Sequence, residues 1–520
     1  MEGSSLDAIV IGAGHNGLVC AAYLARAGLS VQVLEARESV GGCAATVPAL
    51  DGARVNVCNC DHGMVLGTPI VEELGLESFG LRYLEVDPLQ LSIPWDGGLP
   101  WFLFRDPAHT IRSLELTYPQ EVPRYRRYLR RALPAAELLA EVALEPPTPR
   151  RVLSRLLERR GRGAATVMTW SRRSAGSVVR SLFGAEAVRG PMVAVGPAVW
   201  GVPPDAPGTG LGALVFAFRH LTGLARPATG SGALPESLTR CVEAAGGRVR
   251  TSSRVREIVV GGDRTRGVVL ESGETVEAPV VVAAADPREA LVRWLAHPPA
   301  VAAKVVRRWR ARPVREGYES KVDAVIAARP RFRALDEQIL RRLGIDEPLV
   351  PTAIVAPTLD GMAAAHAAMR RGEVVERPML WSNVPSVLDP SMRVADGDVF
   401  SLEVLFTPYT LRGGWGTLQE PERWLRAFSS IVEPGFAEGI VRWRAVTPPD
   451  YERAFGLARG FAPSFSGTPL SALAGRDREL TRYETPVRGL YLTGAGTFPG
   501  AGIWGASGRS TARVVLGRET

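Results

Sequence analysis

The stretch that most restricts the fold is Asp7-Ala-Ile-Val-Ile-Gly12, a short apolar run that ends on glycine. It reads as a buried strand of a parallel sheet. Gly12-Ala-Gly14-His-Asn-Gly17 follows, then a helical stretch from Leu18 to Ala27 with Gly28 as its C-terminal cap. Val31-Gln-Val-Leu-Glu35 is the next strand. Together they form a strand–helix–strand unit of roughly 30 residues, the context in which a GxGxxG motif has physical meaning. Gly12 permits the tight turn, Gly14 lets the backbone approach a pyrophosphate, and Gly17 allows close helix–strand packing. A diphosphate would sit over the positive helix N-terminus. Glu35 would accept hydrogen bonds from the adenosine ribose and repel a 2′-phosphate, which argues against NADP. Glycines of an ordinary turn are the alternative, but both strands, the helix and the acidic residue agree on a dinucleotide site.

Beyond Glu35 and Ala36 the chain reads Arg37-Glu-Ser-Val-Gly41-Gly42-Cys-Ala-Ala-Thr46. This resembles the RxxxGGxxxT stretch of the glutathione-reductase-like and amine-oxidase-like flavoproteins, and implies FAD rather than NAD. Paired glycines let the backbone pass close to a cofactor, while Arg37 and Thr46 can bond its polar groups. A plain loop with a solvated arginine is the alternative.

Two distant segments bear on the same site. Gly230-Ser-Gly232 opens a helix that ends near Gly246-Gly247. Arg248–Thr251, Val255–Val260, Gly267–Leu270 and a strand through Val276 then read as an antiparallel meander, and Val280–Ala285 as another buried strand. At the C-terminus, Gly489–Thr493 is a strand, followed by Gly494-Ala-Gly496-Thr-Phe-Pro-Gly500-Ala-Gly502-Ile-Trp-Gly505 and a helix from about Ala506 to Leu516. The glycine-rich segment closely resembles the GAGTHPGAGIPG signature of the bacterial phytoene-dehydrogenase-like family, and the resemblance extends to residues 6–62 and 230–287. It implies an FAD site made by Gly12, Gly14, Gly17, Glu35, Ala36, Arg37, Gly41, Gly42, Val255, Gly494, Ala495, Gly502 and Ile503, with non-covalent attachment expected. Val255 would contact adenine through its backbone; a core valine is the alternative. Phe498 stands where the family usually has His, and Trp504 where its carotenoid desaturases have Pro. Both are expected to line a substrate pocket and to disfavour a carotenoid.

The fold class expected is α/β, a Rossmann-type FAD-binding domain interleaved with an α+β substrate domain of mixed or antiparallel sheet plus helices. Residues 1–75, 225–290 and 480–520 would build the first; 76–224 and 291–479 would build the second. A chain of 520 residues, 46% hydrophobic and 22% charged, can bury two such cores.

In flavin dehydrogenation the cofactor carries the hard step, so few catalytic residues are legible. Val55-Asn-Val-Cys58-Asn-Cys60-Asp61-His62 resembles the strand and turn that pass the isoalloxazine. His62 is therefore a candidate acid/base or polar contact, with a solvent-facing loop histidine as the alternative. Cys58 and Cys60, two apart on a strand, would share a face as small buried residues rather than a redox pair. Lys321-Val-Asp323 falls where the substrate domain returns toward the flavin. Some amine oxidases hold a water with such a lysine, and a surface or ion-pair residue is the alternative. No metal cluster is expected.

Only one GxGxxG unit is present, so electrons would enter from a small-molecule substrate and leave to oxygen, a quinone or another acceptor. The main reading is a dehydrogenase or desaturase transferring hydride from a hydrophobic or aromatic metabolite to flavin N5. The rivals are an amine oxidase acting on a C–N bond and a non-catalytic binder resembling Rab escort and GDI proteins. The formal charge of +8 is concentrated in residues 121–163, which hold eleven Arg against five Glu. Here Tyr125, Tyr128, Leu129 and Leu133 interleave with arginines, and a second cluster runs from Arg150 to Arg162. Such basic amphipathic helices suit an anionic membrane or an acidic carrier protein; a solvated helix face is the alternative, and nucleic acid is not expected. Five cysteines make no disulfide framework, and the N-terminus enters a strand without a leader pattern. A cytoplasmic protein, in peripheral contact with a membrane at most, is the expectation.

Overall fold

The computed structural model describes residues 6–517 apart from 59, 418, 466, 468–471 and 476; the outer ends of the first and last stretches assigned above lie outside them. A five-stranded, all-parallel sheet runs in the order Leu490–Leu492, Val280–Ala283, Ala8–Ile11, Val31–Leu34, Arg248–Arg250. Its side chains alternate between two cores, as a period of two requires. Ala8, Val10, Val31 and Val33 pack under the helices His15–Arg26 and Ala233–Ala244. Ile9, Ile11 and Leu34 face a three-stranded antiparallel sheet of Val255–Gly261, Arg264–Leu270 and Thr275–Glu277. Arg248–Arg250 was expected in that meander. It instead extends the parallel sheet beside Val31–Leu34, because the glycine break at 246–247 returns the chain to the sheet edge.

The closing helix Ala506–Val515 lies against the first helix. A Cβ on Gly508 would come 2.1 Å from the Asn16 carbonyl oxygen, so glycine is what allows the two helices to touch.

The second body is a seven-stranded sheet in the order Ile440–Val446, Glu319–Ile326, Asp398–Leu405, Met379–Asn383, Thr352–Ala356, Gln90–Pro94, Trp101–Leu103. All pairs are antiparallel except Thr352–Ala356 with Gln90–Pro94. One face carries Leu91, Val322, Ala324, Val355, Leu380, Leu402 and Val404 into an apolar core. The architecture is therefore α/β, a Rossmann-type sheet interleaved in sequence with a mixed sheet and helices.

The basic segment divides in two. Helix Val122–Ala143 buries Tyr125, Tyr128 and Leu129 in the largest core, so these residues are not interleaved with the arginines on the surface as expected. The reason is helical periodicity, which turns them inward and leaves the arginines outside. Helix Pro149–Glu158, capped by the Thr148 hydroxyl, buries none of its residues and exposes 57% of Leu153 and 70% of Leu157. Among the described residues no helix is long and apolar enough to cross a membrane.

Candidate active site

The nucleotide loop is built as its glycines require. Gly12 has φ +101°, and a Cβ there would meet the Ala284 carbonyl oxygen at 2.9 Å. A Cβ on Gly17 would lie 2.1 Å from the Gly12 carbonyl oxygen. Gly14 is different: its Cβ would meet nothing within 4 Å, so open space lies before the N-terminus of helix His15–Arg26. The diglycine turn closes on this point. Gly41, in a left-handed conformation, donates its N–H to the Ala13 carbonyl, and a Cβ on Gly42 would come 3.6 Å from Gly14 Cα. Thr46 is spent inside the protein, its hydroxyl donating to Asn56 and accepting from the Gly232 N–H.

Glu35 is buried at the strand end, where its carboxylate accepts the N–H groups of Ala13 and Arg37 at 2.8 and 2.9 Å. Two such bonds leave lone pairs for a ribose. The backbone of Glu35 and Arg37 accepts from Ser253 and Ser252, which brings Val255 alongside. The Val255 side chain itself belongs to the core. A cavity of about 670 Å³ opens here, lined by Ala36, Arg37, Ser253 and Arg254 among others. The Arg37 guanidinium rests over the Phe455 ring, yet its Nη1 is buried without a hydrogen-bond partner among the described residues. Burial lowers its pKa, against the opposing charges of Glu35 and Cys43. An open approach at Gly14 and an orphaned cationic N–H at Arg37 both fit a dinucleotide with anionic and polar groups.

The C-terminal loop arrives opposite this cradle. Gly494, Gly500, Gly502 and Gly505 all have positive φ. Ser507 ties the loop together by bonding the Gly494 N–H and the hydroxyls of Thr493 and Thr497. Ala495 accepts from the Phe465 N–H, and Ile503 packs against the helical core beside the first helix. Phe498 meets Phe465 edge-to-face at 5.9 Å, while the half-buried Trp504 indole donates to the Ala501 carbonyl. His15, which the sequence gives only as a filler of the motif, hydrogen-bonds the Gly502 backbone and so joins the two loops; burial lowers its pKa to about 4.

His62 is not a solvent-facing loop residue. It is completely buried, with Nδ1 paired to the Tyr83 hydroxyl and Nε2 to the Ser231 hydroxyl at 2.9 and 2.7 Å. Burial, aided by His15, pushes its pKa down to about 3. Both ring nitrogens are occupied, so the ring ties three segments together as a neutral imidazole. Lys321 is likewise not on the surface: it is buried, paired with Asp323 at 2.7 Å and donating to the Asn56 carbonyl. Burial alone would lower its pKa, but Asp323 and Glu403 outweigh this and raise it. Cys58 and Cys60 lie beyond the strand, which ends at Asn56, and do not share a face: Cys60 approaches Asn383, and Cys58 the thiol of Cys43.

Around Lys321 lies a set of buried charges that single motifs do not reveal. Asp61 and Arg226 form an ion pair at 2.7 Å, and Thr352 bonds both. Arg444 adds a second partner to Asp323. Glu403 is buried and Glu319 half-buried; desolvation raises Glu319 to about 7 and, with the charge of Glu319, lifts Glu403 well above its usual value. The signal was present as alternation. Glu319, Lys321 and Asp323, and again Ser401 and Glu403, are polar at a period of two in strands that are apolar elsewhere except at Ser320 and Asp398.

Residues 113–420 match the model of the flavin containing amine oxidoreductases, and residues 10–68 that of an NAD(P)-binding Rossmann-like domain. The chain belongs to the flavin containing amine oxidoreductase family. It is an enzyme, an FAD-dependent oxidoreductase, and the alternative of a non-catalytic binder is corrected accordingly. Pyridine nucleotide-disulfide oxidoreductase domain-containing protein 2 of Mus musculus is 28% identical over 98% of this chain and 93% of its own. A lycopene-forming phytoene desaturase of Pseudescherichia vulneris is 26% identical over 98% of both chains. An oxidoreductase of Methanosarcina mazei has the same fold, with a TM-score of 0.63 at 15% identity over 98% of this chain and all of that one.

Proposed function

We propose that this enzyme dehydrogenates a hydrophobic or aromatic small molecule at a C–C bond and passes the electrons to oxygen, a quinone or another acceptor. The observation that carries this is the convergence of the Gly14 opening, the diglycine turn and the Gly494–Gly505 loop, linked by the His15–Gly502 contact. In this reading residues 1–75, 225–290 and 480–520 form the FAD domain, supported by a parallel sheet that draws strands from all three. FAD, when bound, supplies the hydride acceptor. Glu35 holds the ribose, Arg37 and the Gly14, Gly42 and Gly502 backbone hold the diphosphate side, and Phe498 and Trp504 wall the substrate. His62 keeps these segments in place rather than moving a proton. Attachment is non-covalent, since His62 and Cys60 are both engaged within the protein. A yellow protein that loses its flavin on acid precipitation, and bleaches anaerobically with a hydrophobic alkene but not with amines, supports the reading; bleaching by amines alone sinks it.

Amine oxidation is the second reading. The buried Lys321, on the sheet that faces the flavin strand at Asn56, favours it. Oxygen uptake with amines, lost in Lys321→Met at unchanged flavin content, would establish it.

The docking reading narrows to helix Pro149–Glu158, where exposed Leu153 and Leu157 stand among Arg150, Arg151 and Arg155. Apolar side chains beside arginines suit shallow insertion into an anionic bilayer.

A further inference from the structure

The polar face of the seven-stranded sheet contains three buried polar atoms whose hydrogen-bonding capacity is unused among the described residues, although the Trp381 ring itself packs in the largest core. Glu403 faces Trp381 across one strand pair and Lys321 across the other, and Ser401 lies two residues along on the same face. Their relative exposures are 3%, 4% and 5%. Oε1 of Glu403, Nε1 of Trp381 and Oγ of Ser401 are all buried without a hydrogen-bond partner among the described residues. Directly opposed side chains on one face, here Trp381 and Glu403, stand about 5 Å apart at Cβ, and Ser401 is their neighbour along the strand, on the diagonal to Trp381 at about 7–8 Å. Leaving a buried polar group unpaired costs about 1–3 kcal/mol, and three together are not accidental packing.

The neighbours explain why these groups are spare. Lys321 already donates to Asp323 and the Asn56 carbonyl, and Arg444 is held by Asp323. The other face of the same strands is apolar core. On this face Lys321 reaches the strand that carries Asn56, where the flavin and substrate segments meet.

Resting on the oxidoreductase reading above, we propose that Trp381, Ser401 and Glu403 form a substrate-positioning subsite for a neutral oxygen function, a hydroxyl or carbonyl, on the molecule being oxidised. The indole N–H only donates, so the guest must accept there, which an ammonium cannot do. A carboxylate would find the neighbouring cation, Lys321, already paired with Asp323. A pure hydrocarbon would leave all three groups unpaired. A hydroxyl can accept from Trp381 and donate to Glu403, and a carbonyl can accept from Trp381 and Ser401.

Four probes matched in shape test this by calorimetry on the purified holoenzyme: cyclododecanol, cyclododecanone, cyclododecane and cyclododecylamine. The alcohol and ketone should bind at least about tenfold more tightly than the other two, the worth of one satisfied hydrogen bond to a buried group. Trp381→Phe keeps the ring shape but removes the N–H, and Glu403→Leu removes the carboxyl; each should shrink the preference to within about threefold. If Glu403→Leu does not fold, Trp381→Phe and Ser401→Ala carry the test. Equal or tighter binding of cyclododecane or the amine, no binding of any probe, or an unchanged preference in Trp381→Phe overturns the subsite. Flavin content is read separately from absorbance. A colourless protein that still prefers the alcohol would refute the oxidoreductase reading and leave the subsite standing, and a yellow protein without the preference would do the reverse.

Discussion

The two sheets of this molecule are held to their shapes by different forces. In the parallel sheet the determinants are steric: Gly12, Gly17 and Gly508 each sit where a Cβ would collide with backbone. In the seven-stranded sheet they are electrostatic: Lys321 and Asp323 are a buried pair, and the half-exposed Arg444 adds a second cation to Asp323. A region fixed by sterics should fail when a methyl is added. A region fixed by buried charge should accept small changes of shape but respond to any loss of a partner.

The largest expected effect belongs to the first region. Gly17→Ala places a methyl 2.1 Å from the Gly12 carbonyl oxygen, and the backbone on both sides must move. Overpacking of this kind costs about 3 kcal/mol, and the protein should purify with little FAD and a lowered Tm. Normal flavin content in the variant would mean that the loop is looser than its geometry indicates. In the second region Lys321→Met should cost about 3 kcal/mol, because it leaves Asp323 with one partner fewer in a buried site. Adding Asp323→Asn to that variant should recover part of the loss in thermal unfolding. A double variant no more stable than the single one would show that Arg444 alone suffices for Asp323.

The same contrast explains what the sequence discloses. Gly12, Gly14, Gly17, Gly41 and Gly42 are legible because a sharp turn, a close approach and a positive φ each demand glycine locally, and the strands at either side have the right period. Glu35 is legible for the same reason, at a fixed distance along one strand–helix–strand unit. His62 and Lys321 stand out as residue types but not as roles, since burial and partners come from Ser231, Tyr83 and Asp323 brought in by the fold. Glu403 carries no motif at all; only its register against Trp381 and Lys321 gives it meaning. Arg248–Arg250 misled because a strand after a glycine break does not say which sheet edge it will join.

Glu35→Ala tests the cradle without disturbing its sterics. It removes an acceptor of two backbone N–H bonds along with the bond to ribose, so FAD affinity should fall by about 1.5–3 kcal/mol, on the order of tenfold to a hundredfold. Reconstitution of the apoprotein with FAD measures it, and an unchanged Kd would remove Glu35 from the site. Trp504→Pro, by contrast, should alter substrate range or turnover while FAD content stays within about twofold of wild type.

Acid should act on both regions, through His15 and His62 on the side of the nucleotide loop and through Glu319 in the seven-stranded sheet. His62 has a folded pKa of about 3 against a reference of 6.5, so the native state binds fewer protons than the unfolded chain. Its contribution is therefore complete above 6.5 and is lost as pH falls toward 3. His15, lowered to about 4, acts in the same direction. Glu319, raised from 4.5 to about 7, works oppositely: its contribution is present below 4.5 and lost as pH rises through 7. Glu403, raised in the same way, opposes the histidines as well, so the sign is fixed only for the difference between proteins: from about pH 7 to about pH 5, Tm should fall further in the wild type than in His62→Gln. An equal drop in the variant would assign the acid sensitivity to other groups.

The smallest effect tests a part of the molecule governed by neither force. Helix Pro149–Glu158 contributes no buried residue, so its Leu153 and Leu157 can be changed at little cost to the fold. Much of the local charge is already engaged: Arg155 pairs with Glu158, and Arg159 with Glu137 and Glu141. Arg150 remains beside the two exposed leucines, and Arg151 reaches Glu145 across a longer gap of 3.3 Å. Attraction to an anionic surface is worth about 1 kcal/mol per basic residue near it, so binding should be weak and sensitive to salt. Co-sedimentation with phosphatidylserine vesicles should decline about fivefold in Arg150→Glu with Arg151→Glu, and also in Leu153→Ser with Leu157→Ser, while neutral vesicles bind neither variant nor wild type. Loss in the arginine variant alone would mean surface attraction without insertion. Equal partitioning of all three proteins would leave this helix as ordinary solvated surface, with its leucines exposed for a reason the bilayer does not supply.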